Sequence, residues 1–260
     1  MITIQKINSL QSGDTGLGRY HISEAGVALA HIPEFKAFYD AEVYTAGARR
    51  ILNRVNGQYS ELNGNFDLVE GDKTYLNKAI VAGNTVSHLG DYDINPDEWT
   101  FFAVMKPTYN SNSNQAFRFV RTLLDTAMNT VNLETSANGR TLNFFKEYAR
   151  GIPRTTYTFP AEQGLADLNH PSLVMFSFST EKGCAIRVNG KTVATTLTEA
   201  GKIPQTEGLG AGGWDWFRNA NGDYYAWGGL NIDLTRVVNA DHLSALEHYF
   251  MNKYGISRMN

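Results

Sequence analysis

Leu173-Val-Met-Phe-Ser-Phe178 and, just after it, Cys184-Ala-Ile-Arg-Val-Asn-Gly-Lys-Thr-Val-Ala194 are the stretches on which the fold turns. Two β-favouring runs flank Asn189-Gly190. That dipeptide suits a two-residue type I′ turn, in which both central residues take positive φ. Ile186 and Val188 share one face of the first run, and Thr192 and Ala194 share one face of the second. The spacing predicts an antiparallel hairpin.

Outward from this hairpin, short apolar runs alternate with turn signals. Further strands are expected at 75–81, 99–106, 116–122, 130–134, 141–148, 172–179 and 226–234. Turns are expected at 69–73, 109–114 and 138–139. Many short strands at near-even spacing argue for an antiparallel sandwich or barrel. No long helical pattern alternates with them, which counts against a parallel α/β sheet. The composition agrees, with 24 Gly for turns and 12% aromatic residues for half-buried pleated surfaces. The reading is an all-β, antiparallel jelly-roll sandwich.

One segment departs from it. In 239–255, Leu243, Leu246, Phe250 and Tyr254 recur at helical spacing. Asn239 suits the N-cap, Asp241 the first turn, Lys253 the last turn and Gly255 the position just past it. A C-terminal amphipathic helix is expected, its apolar stripe against the sandwich and Glu247 on the solvent side. Residues 1–48 are the least regular, with Gly13, Gly16 and Gly18, a short helical stretch at 22–30, and then Phe35, Phe38 and Tyr39. They read either as an arm or as the first strand of the sandwich with a long lead-in. The jelly-roll domain is expected over 49–260.

Bulk properties exclude several classes. Lys and Arg total 23 against 26 Asp and Glu, a net charge of −3, which leaves no basic footprint for nucleic acid or an acidic membrane. The single cysteine, Cys184, permits neither an internal disulfide nor a cysteine-rich metal site. The longest purely apolar run is Phe101 to Met105, far short of the roughly 20 residues of a membrane helix. The opening residues show no apolar core of a signal peptide.

Together these segments resemble the laminin-G-like, concanavalin-A-like jelly-roll superfamily. Its members often carry an apolar strand like 173–178, then a hairpin like Arg187-Val-Asn-Gly-Lys191, and a late strand like Gly228-Gly-Leu-Asn-Ile-Asp-Leu234. A subset ends in a helix similar to Leu243-Ser-Ala-Leu-Glu-His-Tyr-Phe-Met-Asn-Lys-Tyr-Gly255. The match is weaker over 40–90, where a "W-x-D-K-S-G"-like region is reduced to Leu52-Asn-Arg-Val-Asn-Gly57. This subset is common among bacteriophage structural proteins and bacterial surface proteins. The resemblance implies a fold and leaves the chemistry open, since one jelly roll hosts lectins, glycosidases and scaffolds.

Three of the four tryptophans fall in 214–227. Trp214, Trp216, Tyr224, Tyr225 and Trp227 are the candidate carbohydrate-binding residues. Aromatic faces stack on sugar rings, and Asp215, Arg218, Asn219, Asn221 and Asp223 offer hydrogen-bond partners. The competing reading is core or interface packing, because Trp214 and Trp216, and again Tyr225 and Trp227, alternate at strand period.

Asn219-Ala-Asn-Gly-Asp223 has oxygen ligands at alternate positions but lacks a distal Glu, so a plain turn is expected and no metal. Laminarinase-like members of the superfamily carry an E-x-D-x-x-E strand, which is absent here; Asp233 stands alone on its strand. His21, His31, His88, His170, His242 and His248 form no metal-ligand spacing, and Cys184 reads as a small buried residue. No catalytic residues, metal or cofactor are therefore expected. The resemblance implies a bacteriophage virion protein, a tail fibre, spike or capsid decoration, assembled in the host cytoplasm. Its expected partners are other virion proteins, further copies of itself and a host glycan. The alternatives are a stand-alone bacterial glycan-binding module and a glycan hydrolase.

Overall fold

The computed structural model describes residues 24–62, 66–68, 76–78, 88–90, 95, 97–108, 117–122, 131–135, 140–146, 155–160, 170–196, 214–218 and 221–260. Helix α1 is Glu24–Ala30. Strands β1 to β6 follow at Phe35–Asp40, Arg50–Leu52, Tyr59–Glu61, Phe66–Leu68, Leu76–Lys78 and His88–Gly90. Strands β7 to β11 are Glu98–Thr108, Phe117–Thr122, Val131–Thr135, Thr141–Lys146 and Thr155–Thr158. Strands β12 to β16 are Ser172–Ser179, Gly183–Val188, Lys191–Thr196, Trp214–Arg218 and Asn221–Leu230, and helix α2 is Ala240–Lys253.

Their pairing is antiparallel throughout. One sheet runs β14-β13-β12-β7-β16-β5-β4, with β1 also on β16; the second runs β11-β10-β9-β8-β15-β6; β2 and β3 form a small hairpin. The protein is thus an all-β sandwich with a C-terminal helix. The β13–β14 turn is type I′ as expected, with Asn189 at φ 47° and Gly190 at φ 80°. Asn189 also ties the turn to β12, exchanging hydrogen bonds of 2.9 Å with the Leu173 backbone through its own N–H and its side-chain oxygen.

The centre of the larger sheet is buried on both faces, so β7 and β12 carry apolar residues on both of their faces. On β7, Trp99, Phe101, Ala103 and Met105 enter the core between the sheets, while Phe102 and Val104 enter a second core beneath the helices. On β12, Val174, Phe176 and Phe178 face the first core and Leu173 and Met175 the second. The second core is closed by Leu29 and Ile32 around α1 and by Leu246, Phe250 and Met251 of α2.

Of the two readings of 1–48, the described part agrees with a first strand of the sandwich. Strand β1 lies inside the segment read as an arm or lead-in, and it hydrogen-bonds along β16 from Phe35↔Leu230 to Asp40↔Ala226. Phe35 and Phe38 join the helix-side core and Ala37 and Tyr39 the inter-sheet core. Contact with β1 is close at Gly228, where an added Cβ would lie 2.3 Å from the Ala37 carbonyl oxygen. The glycine cluster at 13–18 and the expected turns at 69–73, 109–114 and 138–139 lie outside the described residues.

Helix α2 ends in a Schellman motif. The Ile256 N–H donates to the Met251 carbonyl at 2.8 Å, the Gly255 N–H donates to Asn252, and Gly255 takes φ 62°. At the other end the expected N-cap is not made. Asn239 makes no side-chain cap; its Nδ2 instead donates to the Asp233 carbonyl at 2.7 Å, closing the loop that leads into the helix. Glu247 does not face solvent. It is buried and receives the Arg187 guanidinium from β13 at 2.6 Å and 2.9 Å.

Candidate functional site

The aromatic segment 214–227 folds inward. Trp216, Tyr224 and Trp227 are buried in the inter-sheet core, with Trp216 only 1% exposed. Trp216 packs edge-on to Phe101 at 5.6 Å, and Trp227 stacks on Tyr39 at 5.6 Å. These three cannot meet a sugar without unfolding the sandwich, so their assignment as carbohydrate-binding residues is corrected to core. Tyr225 leaves them for the helix side, 5.1 Å from the Tyr254 ring. Trp214 lies on β15, its backbone paired with Gly90 and Thr122.

Two backbone irregularities cause this arrangement. A register shift between Tyr224 and Ala226 resets the alternation of β16, so that Tyr224 and Trp227 face the same core and Tyr225 does not. Phe217 takes φ 56° and joins its neighbour Trp216 in one core, where regular alternation would place them on opposite faces. Its ring lies 4.1 Å from that of Tyr224. Asn221 to Asp223, expected as part of a plain turn, instead open strand β16, whereas Asn219 and Ala220 lie outside the described residues. Among the described residues no group of three His, Cys, Asp or Glu is placed to hold a metal, and no helix is long and apolar enough to cross a membrane.

The buried carboxylates are committed to structural bonds. Asp40 receives Arg54 at 2.8 Å, Lys253 at 3.1 Å and the Glu42 N–H at 3.1 Å. Asp233 receives the Ser179 hydroxyl at 2.8 Å together with the N–H and hydroxyl of Thr235. Cys184 is buried, and burial pushes its thiol well above the usual range, so it is a poor nucleophile.

Around Asp40 the C-terminal helix is pinned to β1. Burial alone would lower the Lys253 pKa, but Asp40, Tyr249 and Glu42 outweigh it and raise the value above that of a free lysine. Burial, then Asp40 and Glu42, raise the neighbouring Tyr254 phenol, whose hydroxyl has no hydrogen-bond partner among the described residues. A folded pKa above the unfolded value leaves stability untouched below ~10, the free tyrosine value, and removes it as pH rises further. Tyr254→Phe is therefore expected to keep or raise the melting temperature at pH 7 and to lessen its fall above pH ~10. An alkaline loss identical to that of the wild type would show that Tyr254 does not control it.

On the β2–β3 hairpin an aromatic and a cationic side chain face solvent together. Arg50 pairs in register with Glu61, and Leu52 with Tyr59, which places Arg50 and Tyr59 diagonally on one face. The Tyr59 ring is 58% exposed, and the Arg50 guanidinium carbon sits 4.3 Å from its centroid. On the opposite face Ile51 is buried in the inter-sheet core, and Ser60 shares a 3.0 Å hydrogen bond with the Tyr39 hydroxyl. The hairpin loop is locked by buried Asn53. Its Oδ1 accepts from the Phe38 and Val55 N–H groups, and its Nδ2 donates to the Lys36 carbonyl. This loop is the Leu52–Gly57 stretch. Sequence reading missed Arg50 and Tyr59 because both strands are only three residues long. The available signal was Tyr59 between polar Gln58 and Ser60, with Gly57 and Glu61, neither apolar, at strand spacing on either side.

No family model matches the chain, and no curated protein matches it. Solved structures do match in fold. The Trypanosoma rangeli sialidase in complex with sialic acid aligns with a TM-score of 0.53 at 11% identity, over 88% of this chain and 37% of that one. The binding domain of botulinum neurotoxin DC in complex with SialylT aligns at 0.57 and 10% identity, over 82% of this chain and 52% of that one. The binding domain of Paraclostridial Mosquitocidal Protein 1 aligns at 0.58 and 9% identity, over 84% and 53%. The chain spans about half or less of the length of each. At such identities the similarity is one of fold: this chain shares a β-sandwich with the sialidase and with the binding domains of these two proteins.

Proposed function

We propose that the chain is a non-catalytic glycan-recognition module that serves as a structural subunit of a bacteriophage particle. The observation that carries the glycan reading is the exposed Tyr59 ring, backed by Arg50 and held on a hairpin whose other face is anchored in the core. A surface aromatic fixed in this way offers a sugar ring an apolar face at little entropic cost. Two of the fold neighbours are complexes with sialic acid and with SialylT, which supports the same reading. A binding role also agrees with Asp40, Asp233 and Glu247 being engaged in fold-holding pairs. The particle reading is supported by the resemblance of the Arg187–Lys191 hairpin and the C-terminal helix to phage structural proteins.

Two measurements test the two halves. Purified chain applied to an array of bacterial-surface and sialylated glycans is expected to give saturable binding to at least one of them; an empty array overturns the recognition role. Mass spectrometry of purified phage particles is expected to detect the chain as a stoichiometric component. Its absence, with glycan binding present, would favour the stand-alone bacterial module.

A further inference from the structure

We infer that the face formed by Arg50, Tyr59 and Glu61 binds a carboxylate-bearing sugar, with the acid on Arg50 and the sugar body against Tyr59 and Glu61. This rests on the glycan-recognition reading and names the ligand class. The guanidinium lies over the Tyr59 ring, 4.3 Å from its centroid. Stacking occupies the flat face of a guanidinium and leaves its N–H edge free, and that edge matches a carboxylate in a bidentate fork. The ring thus holds the fork in one orientation before any ligand arrives. No described residue accepts a hydrogen bond from Arg50.

Charge favours an anion at this place. Between residues 48 and 62 there are three arginines, Arg49, Arg50 and Arg54, against one acid, Glu61, in a chain whose net charge is −3. Arg54 is spent on Asp40, so Arg50 is the cation presented beside the ring. Glu61, exposed and directly opposite Arg50, sets the kind of anion. Its charge repels a dianionic phosphate more strongly than a singly charged carboxylate, and its oxygens can accept from sugar hydroxyls. An acidic sugar uses all three side chains, whereas a neutral sugar leaves the guanidinium edge unused.

Titration calorimetry or ligand-observed NMR with sialyllactose, lactose and an oligogalacturonate tests this. An acidic probe, sialic or uronic, is expected to bind at least about tenfold tighter than lactose, the loss of one charge-assisted contact being of that order. Arg50→Gln should remove the preference, Tyr59→Ala should weaken acidic and neutral probes alike, and both variants should keep the wild-type melting temperature because both side chains are exposed. Lactose bound as tightly as the acids, with Arg50→Gln silent, would overturn the acidic-sugar assignment and leave the glycan reading standing. Acid binding unaffected by both variants would place the site elsewhere and overturn the assignment. Binding of no glycan would overturn both.

Discussion

Trp216→Ala is expected to lower stability by about 3–5 kcal/mol, the usual loss for truncating a buried aromatic side chain. Trp216 is 1% exposed and packs against Phe101 at 5.6 Å and Phe217 at 5.9 Å. Phe217 in turn packs against Tyr224 and Trp227, so the void would open inside a continuous aromatic layer. That layer cannot collapse freely, because Phe217 is held at φ 56° and β16 is fixed by its register shift. Against a total stability of roughly 5–15 kcal/mol for a domain, the loss would move the denaturant midpoint far down or unfold the protein. Urea titration followed by tryptophan fluorescence and circular dichroism measures it. A change within about 0.5 kcal/mol, as at an exposed site, would show that Trp216 is not core.

The same residues show which parts of the fold are legible in sequence. The β13–β14 hairpin and α2 are local objects: a two-residue turn fixes one and a 3.6-residue period the other, and both form where they are expected. The aromatic segment is not local. Its composition suits a sugar site and a core equally, and the choice is made by a bulge and a positive φ that no alternation rule anticipates. Strand β1 was legible only as one of two readings of 1–48, because its partner β16 lies far away in sequence. The candidate contact face was illegible because β2 and β3 are too short to show a period, and because Arg50 and Tyr59 meet only across the hairpin.

Glu247→Ala is expected to cost about 3 kcal/mol, although a charged side chain on a surface helix is expected to face solvent; four residues after Leu243 and three before Phe250, it flanks the apolar stripe. The side chain is 3% exposed and takes the Arg187 guanidinium at 2.6 Å, with Arg258 at 3.6 Å on its other oxygen. Removing one partner of a buried pair typically costs ~3–5 kcal/mol, because the remaining charge is left without compensation. The lower end applies here: Arg187 is 14% exposed and keeps bonds to Thr192 Oγ1 and the Gly190 carbonyl. Arg187 and Gly190 belong to the Arg-Val-Asn-Gly-Lys hairpin and Glu247 to the terminal helix, so the two motifs behind the family resemblance are joined by this one ion pair. The chain beyond the helix reinforces it, with the Met259 N–H donating to the Asn189 carbonyl at 3.0 Å and Arg258 to that of Gly190 at 3.2 Å. Leu246→Ala, one residue earlier and fully buried, should cost a similar ~2–5 kcal/mol by a different route, the cavity it leaves. A double-mutant cycle separates the two. Arg187→Ala and Glu247→Ala should couple by more than ~0.5 kcal/mol, while Arg187→Ala and Leu246→Ala should add, provided the cavity does not shift the salt-bridged turn. A Glu247→Ala protein as stable as the wild type would mean that the helix is held by its apolar stripe alone. The acidic residue at this position of the Leu243–Gly255 segment would then need another explanation.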